Sequence, residues 1–230
     1  MKEKYHVSVI IPVLNEGRSL RDLLESIQSW RKNGHEIILV DGGSDQRDND
    51  SVEHLVDKTI KTPAGRALQM NEGAKQARNE IFFFLHADSS LGDNSISDLV
   101  QGLQMSKHAW GRFDIKLSGR HWMLRMIESM MNARSRITGI ATGDQGIFVY
   151  REIFNQINGY ANIELMEDIE ISKRLKKISR PLCLTTHITT SSRKWEQKGI
   201  VKTMALMWFL RLAFFIGVSP RRLSSIYYSS

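Results

Sequence analysis

The run Phe82-Phe83-Phe84-Leu85-His86-Ala87-Asp88 constrains the fold more than any other stretch of the chain. Consecutive large apolar side chains leave no wet face, so the segment reads as a strand buried on both sides, as parallel strands beneath helices are. It stops abruptly at His86 and Asp88. In open α/β sheets ligands gather beyond the carboxyl ends of the strands, which sets Asp88 on a rigid lip. Two readings of Asp88 then stand: a ligand for a hard divalent cation, which takes oxygen donors and brings substrate phosphates with it, or a cap for the next helix.

Neighbouring segments extend the pattern. Val7–Val13 is β-branched and apolar, with Pro12 near its end, where a missing N–H is tolerated. A loop, Leu14-Asn15-Glu16-Gly17, follows. Leu20, Leu23, Leu24, Ile27 and Trp30 recur every three or four residues and predict one helix face closed by Asn33-Gly34. Glu36–Asp41 is a second buried strand ending in a carboxylate, and Gly42-Gly43-Ser44-Asp45 is a turn of small residues that lets a ligand near the backbone. Thr59–Thr62 reads as an edge strand. Pro63-Ala64-Gly65-Arg66 opens a helix with Ala67, Met70, Ala74 and Ala77 inward, and Ile96, Leu99, Val100 and Leu103 mark another. Strand and helix alternate, so the fold class is α/β, a mostly parallel sheet covered by helices.

From Trp110 the pattern changes. Gly111–Leu117 alternates like a strand with one wet face. Met123, Met126, Ile127, Met130 and Met131 predict a Met-rich helix, favoured as adaptable core over an apolar acceptor lining. Gly146–Tyr150 reads as a strand, Glu152–Ile157 as a short helix, Met166–Ile178 as a helix with two acids at its start, and Pro181–Ile188 as a late strand. No repeat or low-complexity linker interrupts the 230 residues, a length that fits one large domain with an appendage.

Composition excludes some chemistry. The single cysteine, Cys183, forms no intrachain disulfide and no zinc cluster, and the seven histidines show no HExxH-type spacing. The start of the sequence lacks a signal-peptide layout, so a cytoplasmic location is expected. The net charge is +7, and from Ser191 to Ser230 seven basic residues face the single acid Glu196. A basic tail suits nucleic acid, anionic lipid or a phosphorylated substrate. Thr203–Val218 is apolar but interrupted by Arg211. A spanning helix needs roughly 20 apolar residues, and a central Arg costs about 2.5–3.5 kcal/mol. An interfacial or dimer-forming helix flanked by Lys198, Lys202, Arg221 and Arg222 is preferred to a span, with packing on the chain's own core as the plain alternative.

Strand ends thus offer Asn15 and Glu16, Asp41 and Asp88 to one rim. Gly65 and Arg66 open a helix, with Asn71 a turn later, a natural diphosphate site. Gly143-Asp144-Gln145-Gly146 is a second polar loop, and Glu167-Asp168 opens a helix, where acids also favour the dipole.

Val9-Ile10-Ile11-Pro12-Val13-Leu14-Asn15-Glu16, Val40-Asp41-Gly42-Gly43-Ser44-Asp45, His86-Ala87-Asp88 and Glu167-Asp168, in this order, resemble the successive motifs of family 2 glycosyltransferases with a GT-A fold. Pro63–Asn71, Gly143–Gly146 and Ser192-Arg193-Lys194-Trp195-Glu196 resemble a small bacterial subgroup labelled arsenosugar-biosynthesis glycosyltransferases. The resemblance runs from Val7 to about Gly199. It implies transfer, with inversion, of one sugar from a nucleotide-diphosphate donor, a UDP-sugar by default, to an acceptor hydroxyl. It divides the chain into a GT-A domain over 1–199, with a nucleotide-sugar half (1–109) and an acceptor half (110–199), and a C-terminal apolar and basic tail over 200–230.

In that reading Pro12, Asn15, Glu16 and Asp41 hold base and ribose, Gly43 and Ala87 also belong to the donor-binding set, and Arg66 and Asn71 are candidates for the diphosphate side. Asp88 matches the last acid of the Asp-x-Asp motif and binds Mg²⁺ or Mn²⁺, which neutralises the departing diphosphate. Asp168 matches the base and Glu167 supports it or the acceptor. Gly143, Asp144, Gln145, Arg193 and Trp195 fall on the acceptor side. Expected partners are the donor, the acceptor and either a membrane surface on the inner face or a second copy through the tail; nucleic acid is not expected. Two departures stand out. His86 replaces the first acid of Asp-x-Asp, and is expected as a ribose contact or in a supporting position. The Gln-x-x-Arg-Trp motif of polymerising members is absent, which favours a single-sugar transferase. His187, on the late strand, is read as structural or exposed before it is read as a metal ligand. A sugar-phosphate nucleotidyltransferase would need a Gly-rich basic loop after the first strand, where Leu14-Asn15-Glu16-Gly17-Arg18 stands; a non-catalytic basic adaptor would not need Asp88 and Asp168.

Overall fold

The computed structural model describes residues 5–44 and 52–229. Its strands are β1 (Val7–Val13), β2 (Glu36–Asp41), β3 (Lys58–Lys61), β4 (Ile81–Phe84), β5 (Ser89–Ser90), β6 (Trp110–Leu117), β7 (Ile147–Tyr150) and β8 (Leu182–Thr190). Among the described residues they form one sheet in the order β3-β2-β1-β4-β7-β6-β8-β5. The pairings make β1, β2, β3, β4, β6 and β8 point one way, with β7 and β5 against them. The carboxyl ends of the six co-directed strands and the entry to β7 therefore share one rim.

Alternation along the strands builds two cores. Phe83, with Val7, Val9 and Ile11, faces Leu20, Leu24 and Leu99 from helices α1 (Arg18–Ser26) and α4 (Ser95–Met105). Phe82 and Phe84, with Ile10 and Val40, face Met70 of α3 (Arg66–Gln76) and Ile171 and Leu175 of α7 (Glu167–Ile178). The phenylalanine run is thus buried from both sides, as a strand between two helical layers must be. Pro12 fits because Ile10 accepts the last rung from β4, at the Leu85 N–H. Two residues on, the missing N–H points where β4 has already ended.

Four expectations change. The strand through Asp88 stops at Phe84, where pairing with Ile10 ends; His86 to Ser89 turn over, with Ser89 N–H donating to the His86 carbonyl (3.2 Å), and β5 pairs with the end of β8. Asp88 therefore hangs on a turn beyond the strand. The helix over Leu20–Trp30 is broken at Ile27 into α1 and α2 (Gln28–Lys32). Ser26 Oγ and Gln28 Nε2 donate to the Leu23 and Leu24 carbonyls (2.7 and 2.8 Å), competing with the backbone ladder, while the apolar face stays continuous.

The expected wet face of β6 is covered by α5 (Trp122–Thr138): Arg112 is fully buried, Asp114 bridges Arg112 and Arg136, and only Lys116 of that face is exposed. Asn132 of α5 reinforces the contact by bonding both the N–H and the carbonyl of Ile115 (2.9 and 3.1 Å). Of the methionines on α5, only Met131 is buried, and Met126 and Met130 face outward.

After α6 (Arg151–Gln156) and α8 (Arg193–Lys198), the tail forms α9 (Ile200–Phe215) and α10 (Pro220–Ser229). Leu210, Ala213 and Leu223 bury against Met166 and Ile169 at the start of α7. Lys173 lies over the rings of Phe214 and Phe215, 4.9 and 5.3 Å from their centroids. Trp208, Phe209, Leu212, Phe215 and Ile216 remain exposed. Among the described residues no helix is long and apolar enough to cross a membrane.

Candidate active site

At the part of the rim formed by the loops after β1 and β2, Asp41 is buried and its Oδ1 accepts the N–H groups of Gly43 (3.3 Å) and Ser44 (2.9 Å), which fixes the turn after β2. Gly43 has φ 102, a left-handed conformation that favours glycine. Asn15 also adopts positive φ (55) and its N–H donates to Ser44 Oγ (2.9 Å), so the loops after β1 and β2 are tied together. Gln69 of α3 bonds the carbonyls of Val13 and Val40 (2.9 and 2.8 Å) from below and locks the two strand ends. Glu16 is exposed and Pro12 and Ala87 are buried. Asp45, part of the quoted turn, lies outside the described residues.

Residues far apart in sequence meet at the centre of the rim. His86 Nδ1 stands 3.3 Å from Asp144 Oδ1. Gly143 lies close against the imidazole, since a Cβ there would stand 2.6 Å from His86 Nε2 and force the ring to shift. The Gly143 N–H donates to Asp168 Oδ2 (2.9 Å), and the other oxygen of Asp168 accepts the Ile169 N–H (2.7 Å). Asp168 is thus aimed by two backbone donors, one of them on the loop that also holds His86. Met166, immediately before the two acids, has φ 69, a strained conformation for a non-glycine, while its side chain is buried against Leu210 and Leu223. That turn starts α7 with Glu167 buried and Asp168 half-buried at the rim.

The cluster is charge-dense. Burial and the charge of Asp168 push the Glu167 carboxyl up, against Arg66, whose Nη1 is 3.8 Å from Glu167 Oε1. Burial lowers the Arg66 guanidinium, but Glu167, Asp144 and Asp168 outweigh it and leave it raised. Burial also pushes the Asp144 carboxyl up, yet the hydrogen bond and charge of His86, with Arg66 and Arg211, hold it at about 2. The Tyr160 hydroxyl is raised well above its ordinary value by burial and by Glu167 and Asp168.

Other expected site residues are placed elsewhere or committed to packing. Asn71 bonds the Tyr160 carbonyl (2.8 Å) and N–H (2.9 Å), bracing α3 against the segment before α7. Gln145 is fully buried and caps Thr142 while donating to Ser135 Oγ (3.1 Å). Trp195 packs on Ile115, Leu117 and Leu124, and Arg193 is exposed on α8. His187 is exposed on β8, beside Asp114 of β6 in register. Asp88 is half-buried on its turn, and among the described residues no group of three or more His, Cys, Asp or Glu side chains could hold a metal ion.

Three residues that sequence reasoning passed over belong here. Gln69 lies inside the quoted Pro63–Asn71 stretch but looked like an ordinary helical position. Burial lowers the guanidinium groups of Arg134 of α5 and Arg211 of α9, and the charge of Asp168 works against that lowering at both, with Asp144 adding to it at Arg211. Arg211 was visible only as an interruption of an apolar run.

Residues 8–159, more than half of the chain, match the family described as Glycosyl transferase family 2, and the chain belongs to that family. It is similar to a poly(ribitol-phosphate) β-N-acetylglucosaminyltransferase, TarP, of Staphylococcus aureus, 30% identical over 104 residues that cover 40% of this chain and 31% of the relative. It is also similar to an undecaprenyl-phosphate 4-deoxy-4-formamido-L-arabinose transferase of Pectobacterium atrosepticum, 34% identical over 107 residues, 42% and 33% of the two chains. The chain spans about a third of the length of these curated relatives. The fold matches S. aureus TarS in complex with UDP-GlcNAc (TM-score 0.65, 18% identity, 81% of this chain and 58% of that one). It matches equally a mannosyltransferase of Pyrobaculum calidifontis in complex with GDP-Man and Mn²⁺ (TM-score 0.63, 17% identity, 80% and 56%). The architecture is that of the GT-A glycosyltransferases, an α/β fold with a mostly parallel sheet.

Proposed function

We propose that this chain transfers a single sugar, with inversion, from a nucleotide-diphosphate sugar to an acceptor hydroxyl. The observation that carries the reading is Asp168, a carboxylate held by Gly143 N–H (2.9 Å) on the loop that contacts the His86–Asp88 turn. Supporting it are the family match and the complexes of two neighbours of like fold with UDP-GlcNAc and GDP-Man.

In this mechanism the loops bearing Asn15, Glu16, Asp41 and Gly43 receive base and ribose, and Arg66 faces the diphosphate side. Asp88 fits a divalent cation such as Mg²⁺ or Mn²⁺, because such ions are held by one or two carboxylates together with substrate phosphates. When bound, the cation supplies charge neutralisation for the leaving diphosphate. The acceptor oxygen attacks the anomeric carbon, the bond from that carbon to the diphosphate oxygen breaks, and the hydroxyl proton passes to Asp168. Glu167, paired with Arg66, orients Asp168 or the acceptor. The Gly143–Gly146 loop and the Ser192–Glu196 segment border the acceptor side. The quoted motifs favour the subgroup labelled arsenosugar-biosynthesis glycosyltransferases, and the division into a 1–199 catalytic domain and a 200–230 tail follows the same reading. The exposed apolar face of α9, beside Lys202, Arg221 and Arg222, suits an anionic membrane surface on the cytoplasmic side, with a second copy of the chain as the other candidate.

The test is calorimetry with UDP, GDP, CDP and TDP, each with Mn²⁺ and with EDTA, followed by transfer assays with the sugar nucleotide of the base that binds. Asp168→Asn is expected to keep nucleotide affinity and to lose transfer by about 10²–10⁴-fold. Transfer by Asp168→Asn at the wild-type rate refutes the base assignment, and no nucleotide binding by folded protein refutes the transferase reading.

A further inference from the structure

Helix α9 is apolar on both sides, and the protein covers one of them. Thirteen of its sixteen residues are apolar, the composition of a helix enclosed all round. At about 100° per residue, Thr203, Leu210 and Ala213 share the buried side, where Leu210 and Ala213 pack with Leu223 of α10 on Met166 and Ile169. Val201, Trp208, Phe209, Leu212 and Phe215 share the opposite side, within about 120° of arc, and are 55–77% exposed. A bare apolar face of this kind on a folded domain marks an interaction surface. Its charges select the occupant. From Ile200 to Ser229 the chain carries Lys202, Arg211, Arg221 and Arg222 and no acid, and Lys202, Arg221 and Arg222 are exposed. Lys173 of α7 adds a cation at the edge of the face, 5.3 Å from the centroid of the Phe215 ring. A second copy seated here would bring the same cations together, because a two-fold interface pairs a patch with itself. An anionic bilayer surface accepts both features: apolar side chains enter the acyl boundary while basic ones meet the headgroups. The tryptophan ring suits that boundary as well.

We propose that α9 lies in the surface of an anionic bilayer, with Trp208, Phe209, Leu212 and Phe215 inserted and Lys173, Lys202, Arg221 and Arg222 on the headgroups. The side of α9 turned away from the lipid holds Met166 and Ile169, which flank Glu167 and Asp168 in the chain. Docking therefore sets the turn that carries both acids one helix diameter from the membrane, about 10 Å. The docking itself goes beyond the transferase reading and stands without it. Only its consequence, that transfer takes place at the bilayer surface, rests on that reading.

The experiment sediments the full chain with vesicles of phosphatidylcholine alone and with vesicles containing about a third phosphatidylglycerol, at physiological ionic strength. Two double variants, Trp208→Ser with Phe215→Ser and Arg221→Gln with Arg222→Gln, are sedimented in the same way, and analytical ultracentrifugation gives the oligomeric state of each chain. The wild type is expected to bind the anionic vesicles, and to bind the neutral ones at least about tenfold more weakly, or about 1.4 kcal/mol. Each double variant is expected to lose at least about tenfold on the anionic vesicles by the same measure. Absence of binding to anionic vesicles overturns the proposal, as does equal binding to neutral ones or unchanged binding by either double variant. A dimer in solution that the Trp208→Ser, Phe215→Ser chain no longer forms also overturns it, because the face then belongs to a second copy. The comparison of the two vesicle types needs only the wild-type chain and so decides the matter even if a variant fails to fold. Vesicle binding by a chain that binds no nucleotide supports the docking while refuting the transferase reading, and nucleotide binding without vesicle binding does the reverse, which keeps the two failures apart.

Discussion

Asp114→Ala is expected to be among the most destabilising single changes in this chain that leave the active-site residues untouched. Asp114 sits on β6 and takes a hydrogen bond from Arg112, which is fully buried, and from Arg136, whose side chain is 39% exposed. Removing the carboxylate lets Arg136 turn to water but strands the Arg112 charge beneath α5, where its Nε already lacks a partner. Breaking a buried ion pair from one side costs about 3–5 kcal/mol. At roughly 2–4 °C per kcal/mol for a domain of this size, the midpoint falls by about 6–20 °C. The loss is read from urea unfolding followed by circular dichroism, as a lower midpoint at unchanged slope.

The control is the double change Arg112→Met with Asp114→Val, which removes both charges and leaves Arg136 in reach of solvent. Replacing a buried pair by apolar side chains is often neutral or stabilising, so the double variant should be more stable than Asp114→Ala by about 2 kcal/mol or more. A loss under about 1 kcal/mol for Asp114→Ala refutes the reasoning. So does a double variant whose loss equals the sum of the two single losses, since contacting charges must couple.

Asp88→Asn should weaken UDP binding in Mn²⁺ to the level measured in EDTA, and calorimetry in the two conditions gives the comparison; a variant that keeps the full Mn²⁺ effect removes Asp88 from the metal assignment. His86→Asn should move the titration midpoint of the Asp144 carboxyl upward from about 2, because burial alone pushes that group up; carbon-detected NMR follows it. A carboxylate held low in the folded chain contributes stability that is present above about pH 4 and lost as pH falls through about 2, so the wild type should lose more stability than His86→Asn across that window. Gly73→Ala should destabilise the chain, since the new Cβ would lie 2.5 Å from Ile10 Cγ2 and 2.9 Å from Val40 Cγ2. Overpacking of that kind costs about 1–3 kcal/mol and exceeds the gain in helix propensity of up to about 1 kcal/mol; a higher unfolding midpoint would contradict it.

The order of strands and helices was legible because burial on two faces demands unbroken apolar runs. Phe82–Phe84, Val7–Val13 and Ile37–Val40 carry that signal in any context. Loop ends were legible where a special backbone needs a special residue, as at Gly43 and Asn15. Polar residues on β6 misled, since alternation reports which side chains are polar and not whether another element covers them; Arg112 and Asp114 satisfy each other under α5. Gln145 and Asn71 raise a related point: an amide in a polar loop or at a helix start has the same signature whether it meets a ligand or braces the fold, and here both bond other segments of their own chain.

By itself, then, the sequence determined the α/β class, the parallel half of the sheet and the acids at strand and helix ends, because these follow from local periodicity and from short motifs. Only the tertiary structure decided which polar groups share a space. His86 meets Asp144, Gly143 holds Asp168, and Arg66 approaches Glu167 from a helix about a hundred residues earlier in the chain. No local pattern encodes such a meeting, since electrostatic and hydrogen-bond partners are selected by the packing of α5, α7 and α9 around the sheet.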